Sequence, residues 1–140
     1  MNKFLRVASA GIGLHAEAVI IRSPITYLSH SIGDRQLIAG IVMSDLFLER
    51  AGFKRLKKYF DEKYIPTERD KNLKFTDVYH WLLEFQLIDR NLNDRVSKIH
   101  NYRNKIAHEI DHPDLLNENE AIKIIETAIE CLKALGEVCI

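Results

Sequence analysis

A chain of 140 residues with 46% hydrophobic residues, three prolines and six glycines falls in the range of one soluble domain, able to bury about two thirds of its unfolded surface. Lys and Arg number 20 and Asp and Glu number 20, and a formal net charge of zero argues against a general nucleic-acid coat protein. Two cysteines, Cys131 and Cys139, have no Cys-x-x-Cys spacing, which disfavours a disulfide framework or a zinc knuckle and fits reduced thiols in the cytoplasm.

Periodicity predicts helices almost throughout, with no alternation long enough for a strand. The expected fold is all-α, a compact up-and-down bundle of four to five helices forming a single domain over residues 1–140. The first helix is predicted over 3–22. It has the basic start and small-residue triplet of a signal peptide, but only Val7 precedes Ala8-Ser9-Ala10, far short of an h-region of about 7–15 apolar residues. His15, Glu17 and Arg22 break any membrane-spanning run, so no membrane association is expected. This helix should stop before Ser23-Pro24.

A turn is read at Ser31-Ile32-Gly33-Asp34, with Asp34 as N-cap of a long second helix carrying Leu37, Ile38, Ile41, Val42, Leu46, Phe47 and Phe53 and weakened locally by Gly40 and Gly52. Near its end, Lys54-Arg55 and Lys57-Lys58 concentrate the basic excess. Residues 1–60 hold 9 basic and 4 acidic side chains, and residues 61–140 hold 11 and 16. The basic cluster reads as a solvated helix face or as a phosphate-tracking patch. The stretch 61–74 is the longest predicted connection.

A third helix over 76–89, apolar on more than one face, is the expected central element. Asn93 is the expected N-cap of a fourth helix ending near Asp111 or His112, ahead of Pro113. Asn117, with Glu120 three residues on, should cap a last helix with a stripe of Ile122, Ile125, Ile129, Leu132, Leu135 and Cys139.

The fourth helix carries Tyr102-Arg103-Asn104-Lys105-Ile106-Ala107-His108-Glu109-Ile110-Asp111-His112, which spells two chemistries. From His108 it is His-Glu-x-x-His, two zinc ligands at i and i+4 with Glu109 as base. Pro113 biases His112 away from helix, Asp111 adds a charge inside the motif, and only Glu126 and Glu130 are at hand as a third ligand. A zinc centre is therefore disfavoured, and no metal or other cofactor is expected.

From Arg103 the same stretch is Arg-x4-His, a pair suited to phosphodiester cleavage. Spacing alone is uninformative, because Arg95 and His100 share it. The second copy differs in having Asn104, one turn from His108 and placed to orient its imidazole. Leu92, Val96, Ile99, Ile106 and Ile110 form a seam in which Arg103 takes the one position expected to be apolar. An arginine there needs a carboxylate, such as Glu84 or Asp89, or a cleft. Five residues place His108 about 140° round the helix from Arg103, so a two-fold pair of helices would assemble both groups more readily than one. As a helix-terminal residue, His108 alternatively caps the last carbonyls. His15, His30 and His80 read as structural.

The string Tyr102 to Glu109, on the penultimate helix of an all-helical chain this size, resembles the HEPN (higher eukaryotes and prokaryotes nucleotide-binding) domains. The resemblance implies a helical homodimer whose paired Arg-x4-6-His motifs form a metal-independent ribonuclease site. Arg103 and His108 would then be catalytic and Asn104 the polar residue of the motif, with His100, Tyr102 and Glu109 as supporting side chains. The implied partner is RNA, and the implied role that of a toxin with an antitoxin protein or of a phage-defence effector. Ile110 stands where the HEPN toxins paired with nucleotidyltransferases have a tyrosine, which sets the chain apart from that subgroup. HEPN domains also include non-catalytic modules that bind a nucleotide, RNA or a protein.

Overall fold

The computed structural model describes residues 23–63, 74–108 and 116–138. Its described part is all-helical: α1 (Pro24–Gly33), α2 (Leu37–Glu62), α3 (Phe75–Glu84), α4 (Arg90–His108) and α5 (Glu118–Ala134), packed as one bundle. None of these helices is long and apolar enough to cross a membrane. The helix expected over 3–22 lies outside the described residues.

Ser23-Pro24 begins a helix. The Ser23 hydroxyl accepts from the Ile25 amide at 3.2 Å and Pro24 fills the first helical turn, where a missing N–H costs nothing. The same hydroxyl donates to the Val138 carbonyl at 2.9 Å, tying this end of α1 to the chain beyond α5. The predicted turn at 31–34 is the end of α1, and Asp34 closes it by donating its amide to the His30 carbonyl. Arg35 then turns the chain in the left-handed region at φ 58°, and Gln36, not Asp34, is the N-cap of α2.

The central element is α2, which packs against each of the other four helices; it displaces α3 from the role its composition predicts. Leu37, Ile41, Leu48 and Leu56 are almost wholly buried along α2. By contrast α3 ends at Glu84, where Gln86 turns left-handed at φ 58°. Trp81 is 40% exposed and stacks on Phe85, which stacks on Tyr59 of α2, so part of the apolar run of α3 builds a surface cluster.

The two glycines of α2 mark close approaches. A Cβ on Gly40 would lie 2.5 Å from Ser31 Oγ and 2.7 Å from Ile125 Cδ1, between α1 and α5; one on Gly52 would meet the Tyr79 ring at 2.9 Å. Gly40→Ala should therefore destabilise the protein. Overpacking of about 1–3 kcal/mol outweighs the roughly 1 kcal/mol that alanine gains in helix propensity. Urea unfolding should show a lower midpoint, whereas a glycine present only as a weak point would give a higher one.

Asp89 caps α4 in place of Asn93, its Oδ1 accepting from the Leu92 amide at 2.7 Å. The buried seam of α4 runs Leu92, Val96, Ile99, Tyr102, Ile106. Tyr102, not Arg103, takes the position after Ile99, and α4 is helical up to His108, beyond which residues 109–115 are outside the described part. Asn117 caps α5 as expected, accepting from the Glu120 amide at 3.0 Å. The buried face of α5 is Ala121, Ile124, Ile125, Ala128, Cys131 and Leu132, with Ile122 and Ile129 at its margins. Burial pushes the Cys131 thiol up to about 11.

Candidate functional site

Asp45 is the one charged residue buried in the described part of the chain. It sits on α2 in the apolar run Ile41-Val42-Met43-Ser44-Asp45-Leu46-Phe47, facing α4. A carboxylate removed from water needs charged or hydrogen-bonding partners, and both its oxygens have one. Oδ1 lies 2.8 Å from His100 Nδ1, and Oδ2 lies 3.8 Å from Arg103 Nε. His100 and Arg103 are one turn apart on α4, which lets a single carboxylate span them.

The His100 ring is further fixed by Phe75 of α3, stacked on it at 4.3 Å and 9°. Phe75 stacks in turn on Tyr79 at 4.9 Å, and the Tyr79 hydroxyl donates to the Leu48 carbonyl of α2 at 2.5 Å. Burial, reinforced electrostatically by Cys131, Asp45 and Glu49, pushes the Tyr79 hydroxyl well above the usual phenol range, so it acts as a neutral donor. With Nδ1 on Asp45, His100 Nε2 has no partner among the described residues, and 22% of the side-chain surface is exposed. His100 lines a groove of about 250 Å³ between α3 and α4, together with Thr76, His80, Ser97 and Asn101.

Arg103 keeps 39% of its side-chain surface exposed, and its Nη1 donates to Asn104 Oδ1 at 3.2 Å. Its carboxylate is thus Asp45, neither Glu84 nor Asp89. Asn104 turns to Arg103, where an orienting contact to His108 was expected. His108 is exposed in the last turn of α4, with no hydrogen bond or ion pair among the described residues. Arg103 and Asn104 are hydrogen-bonded to each other, while His108, about 140° round the helix from Arg103, is bonded to neither.

The other expected residues fall in different places. Tyr102 belongs to the core seam. Glu109 and His112 lie outside the described residues, as does His15, and no group of three metal-ligating side chains converges among the described ones. Arg95, of the first Arg-x4-His copy, points instead to Glu130 of α5 at 3.3 Å. His30 is exposed at the end of α1, and His80 meets Trp81 edge-on while lining the groove. Arg50, Lys54 and Lys57 form an i, i+4, i+7 stripe on the outer face of α2.

No family model, curated protein or solved structure matches the chain. The geometry of Asp45, His100, Arg103 and Asn104 therefore carries the functional argument together with the motif. Sequence reading missed Asp45. The one available signal was a charged residue inside a long apolar run, and its partners, 55 and 58 residues away, are brought to it only by packing of α2 against α4.

Proposed function

We propose that this chain is a metal-independent, HEPN-type endoribonuclease that works as a homodimer, with Arg103, Asn104 and His108 as its motif. The observation that supports it is Arg103. A carboxylate on one side and an amide on the other engage the guanidinium of a partly exposed arginine on α4, an arrangement suited to a phosphate-binding group. The 2′-hydroxyl of RNA attacks the adjacent phosphorus, the O2′–P bond forms and the P–O5′ bond breaks. Arg103 neutralises charge on the non-bridging oxygens, and His108 transfers a proton. The products are a 2′,3′-cyclic phosphate and a 5′-hydroxyl. Across a two-fold axis, His108 of one protomer and Arg103 of its partner can meet at one phosphate. A cytoplasmic toxin held by an antitoxin, or a phage-defence effector, is the setting such an activity fits.

A second reading rests on the Asp45 contact. An arginine whose carboxylate is already supplied by its own chain can serve architecture, leaving a non-catalytic helical dimer that binds a nucleotide, RNA or a protein. Incubation with bulk transfer RNA in excess EDTA separates the two. The nuclease reading expects cleavage by the wild type that is lost in Arg103→Ala and in His108→Ala. An inert wild type on several RNAs favours the binding module, and cleavage abolished by the chelator contradicts both.

A further inference from the structure

We propose that His100 is the general base of this site, taking the 2′-hydroxyl proton on Nε2 while Asp45 positions its ring through Nδ1. The inference rests on the ribonuclease reading and adds a residue and a subsite to it. His100 belongs to the Arg-x4-His copy whose arginine turns away to α5, so its motif membership is incidental. What marks it is placement. The 2.8 Å contact to a buried carboxylate sets the ring's orientation and turns Nε2 away from Asp45. Phe75 fixes the ring plane from one side. Nε2 has no partner among the described residues, and 22% of the side-chain surface is exposed. Among the described residues, His108 has none of these supports.

The relation to Arg103 is equally specific. The two are three residue steps apart, about 60° of rotation and about 4.5 Å of rise, so they project to neighbouring parts of one surface. Both contact Asp45, and Arg103 keeps 39% of its side-chain surface exposed. A proton acceptor and a phosphate-neutralising cation thus stand side by side within one protomer. The groove on the other side of His100 offers the Thr76 and Ser97 hydroxyls and the Asn101 amide, next to Phe75. At about 250 Å³ it is smaller than most small-molecule pockets, which run from about 300 Å³ upward. That suits one ribonucleoside, its sugar hydroxyl toward His100 and its 3′-phosphate over Arg103.

The proton balance follows. Nε2 of His100 accepts the 2′-hydroxyl proton as the O2′–P bond forms. The P–O5′ bond breaks, and the departing O5′ takes a proton from His108, the acid of the reading above. His100 later returns its proton to solvent.

The test is cleavage of bulk transfer RNA in EDTA by the full chain, its His100→Gln, His100→Ala and Arg103→Ala variants, and wild type as reference. His100→Gln should lower kcat by about a hundredfold or more with little change in KM. Added imidazole should restore part of the His100→Ala activity, which a purely structural histidine would not allow. A nuclease-active wild type with His100→Gln near its rate and Arg103→Ala inert overturns the base assignment and leaves the ribonuclease reading intact. A wild type that cuts no RNA overturns both. Should the His100 variants fail to fold, the wild type still decides by NMR. Titration with 3′-nucleoside monophosphates should shift the His100 ring proton resonances, and unmoved resonances at saturation would refute the assignment.

Discussion

Arg103→Ala should leave RNA cleavage in excess chelator at least about a hundredfold below wild type, the scale on which loss of one preorganised charge-stabilising donor is felt. Folding should hardly notice. The side chain is 39% exposed and its nearest approach to Asp45 is 3.8 Å, so solvent screens the pair and the stability cost should stay below about 1 kcal/mol. Arg103→Lys sharpens the point, because lysine keeps the charge but lacks the planar fork that engages two phosphate oxygens. Lysine should recover a minor part of the rate. Initial rates and a urea melt on the same preparations check both halves, and an Arg103→Ala protein that cuts RNA at the wild-type rate would remove arginine from the chemistry.

Asp45→Ala should damage activity and stability together. Breaking a fully buried ion pair costs about 3–5 kcal/mol, but here His100 and Arg103 keep 22% and 39% of their side-chain surfaces in contact with water. The discounted cost is about 1–3 kcal/mol, close to that of stranding a hydrogen-bonded group. Activity should fall by about tenfold or more, since the carboxylate behind a catalytic histidine sets its ring orientation and tautomer. Asp45→Asn separates the two effects. Its side-chain oxygen can still accept from His100 while its NH2 faces Arg103 across the longer 3.8 Å contact, so the urea midpoint should fall less than in Asp45→Ala, while kcat drops and KM changes little. If Asp45→Asn matches the wild type in kcat, Asp45 is an architectural residue and has no part in the proton transfer.

Helical periodicity made the all-α bundle legible, because 3.6-residue spacing survives in α2, α4 and α5 whatever the tertiary contacts are. Local signals with two meanings were the weak points. Pro24 can end one helix or open the next, and Ser23, by accepting from the Ile25 amide, shows that it opens one. After Ile99, steps of three and four lead to Tyr102 and Arg103 alike. Tyrosine has an apolar body, so it takes the core position and leaves arginine beside the seam. Gly40 and Gly52 looked like defects in α2 because the side chains that crowd them, Ser31, Ile125 and Tyr79, lie on other helices. The same limit hid Asp45. Its isolation in an apolar run was visible, but the identity of its partners depends on how α2 and α4 pack, which no local pattern encodes.

On the proposed reading, RNA is cut by attack of its own 2′-hydroxyl, without metal, at the site built on Arg103. A single 2′-O-methyl nucleotide placed at a mapped cleavage position tests it most directly. The expected result is that cleavage at that one phosphodiester disappears in EDTA while neighbouring sites are cut as before, and that the unmodified RNA yields 2′,3′-cyclic phosphate and 5′-hydroxyl ends. Cleavage that continues at the methylated position, leaving a 5′-phosphate, would contradict the account.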